Sequence, residues 1–310
     1  MIDPALRPLA GDGAPLDTEL AVLRAASDRL GLDTAGTPPA GTAEHDARIA
    51  ADGAELGARV FRAPGGSRSA PVVVYFHGGG WATGSVAGYA AIARNLARFT
   101  GGAVVAVDYR LAPEHRLPVL LRDCLAAVRW TREQAARLAI DASRVVLAGD
   151  SAGAHLALLA ALSLHADGED CAAVLAFYPC LDPACATPSW ERMAGGHYLT
   201  RERMRWYWRA LLGAGADRPS AAMTPWLADE LAGLPPAWIL AAEHDPLRDE
   251  AEAFAHDLRA ASVTVGFAEQ PGMLHGFLRW RSLVPQADSA VREACDWLHG
   301  QLGTSPPRAG

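Results

Sequence analysis

Residues 144–164 read RVVLAGDSAGAHLALLAALSL. The stretch opens on the apolar run Val145-Val146-Leu147, turns through Gly149-Asp150-Ser151-Ala152-Gly153 and continues as an Ala/Leu-rich helical segment. A short buried strand, a Gly-x-Ser-x-Gly turn and a helix, in that order, are the context of a nucleophile elbow. So tight a turn admits only small side chains near the serine, which accounts for Gly149 and Gly153. It lifts the Ser151 hydroxyl clear of the sheet, above a helix N-terminus whose N–H groups and dipole favour developing negative charge. The pentapeptide alone is equally compatible with an ordinary strand-to-helix turn capped by serine, so the rest of the chain has to decide.

Working outward, the same alternation recurs. Residues 58–62 alternate like a strand, and Val72-Val73-Val74-Tyr75-Phe76 is a continuous apolar run, as in a strand buried on both faces. It ends in His77-Gly78-Gly79-Gly80-Trp81 and is followed by a helical pattern over 88–99. The apolar run 103–107 leads into Asp108-Tyr109-Arg110-Leu111-Ala112-Pro113-Glu114-His115, and a helix is predicted over 117–138. Further apolar runs occupy 173–178, 237–242 and 263–268, each followed by a loop and, mostly, a helix. Repeated strand–loop–helix units imply a mostly parallel sheet with helices on both faces. Reactive groups then collect beyond the C-terminal ends of the strands, where the elbow, the Gly run, the Asp245 loop and the His275 loop all fall.

Two segments stand outside the alternation. Residues 1–45 are punctuated by Pro and Gly around one helical stretch, 18–30, with Leu20, Leu23, Ala26 and Leu30 roughly on one face. They form an N-terminal arm with too little apolar content for its own core. Residues 183–228 crowd Trp190, Tyr198, Trp206, Tyr207, Trp208 and Trp226 around a helical stretch over 200–212. They read as a cap insertion over the sheet edge, dividing the core into 46–182 and 229–310. The C-terminal residues 303–310 read as frayed.

Serine is a poor nucleophile at neutral pH without a base in hydrogen-bond reach, and the base needs an orienting acid. His275, in Gly272-Met273-Leu274-His275-Gly276-Phe277 after the last predicted strand, is the candidate base; each of the ten histidines also has a plain surface or capping reading. Asp245, directly after the run 237–242, is the candidate acid. Its bland alternative is a helix N-cap ahead of Pro246, with Asp249 a first-turn carboxylate. Asp150 adjoins the serine and its side chain should diverge from it. The order Ser151, Asp245, His275 is the α/β-hydrolase order. Gly78, Gly79 and Gly80 permit a backbone with N–H groups turned inward, and Gly79, Gly80 and Ala152 are the candidate oxyanion donors. Trp81, beside the Gly run, and Trp206, in the insertion, are the candidate substrate-contacting aromatics.

These motifs together resemble the signature set of the hormone-sensitive-lipase-like esterases: His77-Gly78-Gly79-Gly80-Trp81, the 108–115 segment, Gly149-Asp150-Ser151-Ala152-Gly153, Asp245-Pro246-Leu247-Arg248-Asp249 and His275-Gly276-Phe277. Asp150 puts the chain in the Gly-Asp-Ser-Ala-Gly branch. The resemblance runs from about residue 45 to the C-terminus. It implies an eight-stranded α/β-hydrolase sheet under a helical cap built from the arm and the insertion. It implies Ser151 as nucleophile, His275 as base, Asp245 as acid and Gly79, Gly80 and Ala152 as the oxyanion hole, with His77 and the 108–115 segment as supports of that loop. One departure is Ala154-His155, where many relatives carry Gly then Asn; altered packing under the elbow is expected.

Composition narrows the chemistry. The 310 residues suffice for one large α/β domain or two small ones. A net charge of −7 argues against nucleic acid or an anionic membrane as the main partner. The chain has no lysine, which removes Schiff-base, P-loop and Ser–Lys chemistry. Five cysteines without a Cys-x-x-Cys pair read as free thiols in a reducing, cytoplasmic setting. The N-terminus does not resemble a signal peptide, and no apolar run reaches spanning length. The expected activity is hydrolysis of short- to medium-chain acyl esters through an acyl-enzyme, in a closed apolar pocket, on a small-molecule ester, with no metal or organic cofactor. Relatives are often homodimers, and the resemblance carries that expectation. Other readings of the same site are a dedicated deacetylase, an acyl-eliminating biosynthetic enzyme, or a non-catalytic binding protein; retention of His275 argues against the last.

Overall fold

The computed structural model describes residues 1–66, 70–193, 195–217, 219–228 and 231–307. One eight-stranded sheet runs through the molecule in the order β1-β2-β4-β3-β5-β6-β7-β8. Its strands are β1 Ala43–Ala51, β2 Ala54–Arg62, β3 Val72–Phe76, β4 Ala103–Asp108, β5 Val145–Asp150, β6 Ala173–Phe177, β7 Ala237–His244 and β8 Val265–Leu274. β1 and β2 form an antiparallel hairpin, β2 pairs antiparallel with β4, and every later pairing is parallel. This is the α/β-hydrolase fold.

The helices are α1 Leu20–Thr34, α2 Val86–Thr100, α3 Leu117–Glu133, α4 Ala135–Leu138, α5 Ala152–Ala166, α6 Ser189–Arg192, α7 Arg201–Leu212, α8 Arg248–Ala260 and α9 Gln286–Leu302. Strand alternation sorts them into two layers. In β3, Val72, Val74 and Phe76 join the core under α3, α5 and α8, while Val73 and Tyr75 join the core under α2 and α9. Each core is built of buried aliphatic and aromatic side chains, so burial of apolar surface on both faces holds the sheet.

The structure departs from the sequence-based expectation in three places. The sequence pattern singles out no strand at β1, and the boundary between arm and core at 45/46 falls inside it. Only Ile49 of this strand is buried, so an edge strand with exposed Glu44, His45 and Asp46 carries no hydrophobic signal. The predicted helix over 117–138 is two helices, because the chain breaks at Gln134 and turns left-handed at Ala139. β8 extends to Leu274 and delivers His275 directly at its end. The second core boundary at 229 and the terminal residues 308–310 lie outside the described residues.

The elbow is where backbone meets backbone. A β-carbon on Gly153 would overlap the Phe76 carbonyl oxygen at the end of β3, and one on Gly149 would overlap the Gly153 backbone. Neither neighbour is a flexible side chain that can swing away. Gly153→Ala is therefore expected to cost at least about 3 kcal/mol, beyond the usual range for a one-carbon overpacking. Urea denaturation of the variant beside wild type measures this, and a loss under 1 kcal/mol would contradict the close approach.

Candidate active site

Three strand ends meet at one point. Ser151 follows β5, Asp245 follows β7 and His275 follows β8. Ser151 sits at φ 55°, ψ −119°, a sparsely populated conformation for a residue with a side chain. Its N–H donates to the Phe177 carbonyl at 2.8 Å, which ties the strained turn to β6. His275 Nε2 is 2.8 Å from Ser151 Oγ, and His275 Nδ1 is 2.6 Å from Asp245 Oδ2. The carboxylate can only accept, so Nδ1 carries the proton and Nε2 is left to accept from the serine hydroxyl. The other Asp245 oxygen accepts the Leu247 N–H at 2.9 Å. The helix N-cap reading of Asp245 is not realised: α8 begins at Arg248 with Leu247 at its cap position, and the Leu247 bond closes a turn ahead of it. Cys180 Sγ lies 3.5 Å from Ser151 Oγ. The loop that carries Cys180 is held by the buried Glu250, which accepts the Leu181 and Asp182 N–H groups at 3.1 and 3.0 Å.

The Gly run faces the same point. His77 Nδ1 donates to the Gly78 carbonyl at 2.7 Å, and the Gly79 carbonyl accepts from Ala82 N, Thr83 N and Thr83 Oγ1. A trans peptide points its N–H opposite to its C=O. Turning these two carbonyls into the loop therefore turns the N–H groups of Gly79 and Gly80 the other way. Gly79 and Gly80 have φ of 110° and 61°, and both line the cavity with Ser151 and His275. Ala152 opens α5, so its N–H has no partner within the helix.

Asp150 supports this loop from below. Its Oδ1 accepts from Tyr75 Oη at 2.5 Å and from Gly78 N at 2.9 Å. Burial pushes its carboxyl above the ordinary range, against the opposing pull of those two bonds and of Arg279. His77 stacks on Tyr109 at 4.5 Å, and Tyr109 Oη donates to the His77 carbonyl at 2.7 Å. Arg24, on α1, binds the carbonyls of Ala82 and Ala112 and both carboxylate oxygens of Glu114. One guanidinium thus joins the arm, the glycine loop and the 108–115 segment.

A cavity of about 250 Å3 opens over the serine. Its wall includes Leu23, Ser27 and Leu30 of α1, Tyr198, Arg203, Met204 and Tyr207 from the insertion, and Tyr89 and Arg279 below. Trp81 and Trp206 do not line it. Trp81 is fully buried between Trp208 and His155, with ring centroids 4.4 and 5.1 Å away. Trp206 is half-buried beside Tyr207, with ring centroids 5.3 Å apart: Arg203, Met204, Trp208 and Leu211 mark the buried face of α7, and helical spacing sets Tyr207 nearer its centre than Trp206. Helix phase was the signal that would have selected Tyr207. Nor is the wall the apolar tryptophan surface expected from composition, since its aromatics are tyrosines and it contains two arginines.

His155 completes an aromatic box under the cap. It is fully buried, 5.2 Å from Trp208 between ring centroids, and its Nε2 donates to the Met223 carbonyl at 2.8 Å. Nδ1 has no partner, so a second proton there would be desolvated and unpaired. Burial accordingly lowers its pKa from 6.5 to about 4. The altered packing expected at this departure is a link between the elbow helix, the oxyanion-side loop and the insertion.

Residues 73–279 match the family described as the α/β-hydrolase fold. The chain is 37% identical over 255 residues to an ethyl acetate hydrolase of Pseudomonas putida, covering 81% of this chain and 80% of that protein. It is 39% identical over 242 residues to the carboxylesterase NlhH of Mycobacterium tuberculosis, covering 76% of each. Among solved structures, an esterase of Pyrobaculum calidifontis superposes with a TM-score of 0.89 at 32% identity, covering 97% of this chain and 99% of the other.

The buried neutral His155 carries a pH signature. Between about pH 4 and 6.5 the unfolded chain binds a proton that the folded chain refuses, so stability falls as pH falls through this window. In His155→Asn the loss of stability on going from pH 6.5 to about 4 is expected to be smaller by about 3 kcal/mol. Denaturation at several pH values measures the difference, and parallel curves for the two proteins would contradict a neutral buried histidine.

Proposed function

The chain belongs to the α/β-hydrolase fold family and to its hormone-sensitive-lipase-like esterases, and from that premise we propose that Ser151 is the nucleophile of its ester hydrolysis, with His275 as base and Asp245 as orienting acid. The protein is a serine carboxylesterase. The observation that carries the assignment is the pair of bonds made by His275, 2.8 Å to Ser151 Oγ and 2.6 Å to Asp245 Oδ2, at the wall of the cavity.

The steps follow from the geometry. Ser151 Oγ attacks the ester carbonyl as its proton passes to His275 Nε2. Asp245 stabilises the imidazolium without taking its proton. The carbonyl oxygen gains negative charge, and the N–H groups of Gly79, Gly80 and Ala152 act as its oxyanion hole. Preorganised donors of this kind are worth roughly 2.7–4 kcal/mol each. His275 then protonates the leaving alcohol. Water, activated by the same imidazole, releases the acid from the acyl-enzyme. Every step uses side chains and backbone of this chain.

The size of the cavity, about 250 Å3 and roofed by the arm and the insertion, supports short to medium acyl chains. The arm, residues 1–45, and the insertion, residues 183–228, act together as the cap. Arg203 donates to the Ala14 and Pro15 carbonyls, and the Tyr198 N–H donates to the Gly11 carbonyl, so the two segments support one roof. Among the described residues no helix is long and apolar enough to cross a membrane. The five cysteines, all free and buried, fit a cytoplasmic site of action.

Hydrolysis of p-nitrophenyl esters from C2 to C16 tests this reading. Release is expected to peak between C2 and C8 and to fall by at least about 1,000-fold in Ser151→Ala and about 10,000-fold in Asp245→Asn. Undiminished release by Ser151→Ala, or equal turnover of the C4 and C16 esters, would overturn the corresponding part.

A further inference from the structure

The cavity wall holds two arginines that the hydrolytic steps do not use. Arg279 is 4% exposed and Arg203 is 8% exposed. Arg279 donates to the Ser27 carbonyl and to Tyr89 Oη, and its guanidinium carbon lies 4.1 Å over the Tyr89 ring. Arg203 donates only to the Ala14 and Pro15 carbonyls. Among the described residues neither makes an ion pair, whereas most arginines on the outer surface do. Donor capacity is also left over: Arg279 Nε and Arg203 Nη1 have no hydrogen-bond partner.

A buried guanidinium bonded only to neutral oxygens retains an uncompensated charge, which costs several kcal/mol unless an anion comes close. The two carboxylates at the cavity do not fill that place. Asp150 attracts Arg279 from beyond ion-pair distance and so offsets its charge only in part, and it makes no ion pair with Arg203. Asp12 is exposed at the mouth and accepts the Gly196 N–H. Both arginines border the space that also touches Ser151 and His275.

We infer that this cavity selects esters that carry a carboxylate, with Arg203 and Arg279 supplying the counter-charge from the cap helix α7 and from the turn after His275. This deepens the esterase reading and rests on it. The selected substrates are monoesters of dicarboxylic acids, or acyl esters of hydroxy acids, small enough for the cavity. Inside a water-poor cavity a carboxylate near a guanidinium interacts far more strongly than in bulk water. The neutral isostere would leave both arginines as uncompensated as they are in the empty site.

The test compares two charged esters with their neutral ketone isosteres. Monoethyl succinate is paired with ethyl levulinate, and 4-acetoxybutyrate with 5-acetoxypentan-2-one. The pairs place the carboxylate on the acyl side and on the alcohol side respectively. Wild type at pH 7 is expected to show kcat/KM at least about tenfold higher for the charged member of one pair. Arg203→Met and Arg279→Met are expected to reduce that preference severalfold while the neutral member is still hydrolysed. Equal or lower rates for both charged members, with the ketones hydrolysed in a Ser151-dependent way, would overturn the inference and leave the esterase reading standing. A preference that survives undiminished in both variants would also overturn it. Failure of wild type on all four esters and on p-nitrophenyl acetate would instead strike the esterase reading. If either variant does not fold, the wild-type ratio decides alone.

Discussion

The contact on which the rest of this structure depends is between two pieces of backbone: Gly153 at the start of α5 against the carbonyl of Phe76 at the end of β3. It forces the elbow into a turn that only glycine can flank, and it holds Ser151 at positive φ. It also sets the glycine loop, which continues from Phe76, beside the N-terminus of α5. Ser151 and the glycine loop, the nucleophile and oxyanion donors we propose, are therefore brought together by one close approach rather than by separate devices. The same close packing explains the glycines on both sides of Ser151: a β-carbon on Gly149 or on Gly153 would overlap backbone.

Around this point the chain uses charge to fasten loops that hydrophobic burial cannot fasten. Asp150 is buried beneath the site, yet it is bonded to Tyr75 and to Gly78 N–H. Arg110 and Asp123 fix the start of the 108–115 segment with a bidentate pair, and Arg24 fixes its end through Glu114. Polar groups left without partners in such positions would cost more than the bonds contribute. The loops at the strand ends are thus as determined as the strands, which a hydroxyl aimed at a histidine within ordinary hydrogen-bond length requires.

The parts legible in the sequence were those governed by local rules. The buried strands β3 to β7 are short apolar runs between turn residues, and the elbow and the Asp245 loop follow two of them directly. The residues of the cap were illegible for a physical reason. Its tryptophans dominate the composition, but composition does not say which way a helix faces. Trp206 and Tyr207 are adjacent in sequence but only Tyr207 lines the cavity, and Trp81 turns beneath the cap at φ 59°. β1 was missed because an edge strand buries almost nothing. Arg24, Arg203 and Arg279 could not be told from the other arginines, since their distinction is a burial and a partner acquired only in the folded chain.

That distinction bears on how a family with one site serves many esters. The groups that break the ester sit at strand ends and are tied to the sheet. The rest of the cavity wall comes from α1, α7 and the turn after His275. Arg203 reaches from α7 to the arm, and Arg279 reaches from the core to α1 at Ser27. Each therefore does two things at once, bracing the roof and lending positive charge to the cavity. A substitution at either position alters the shape and the charge of the cavity together while leaving Ser151, His275 and Asp245 on their strands.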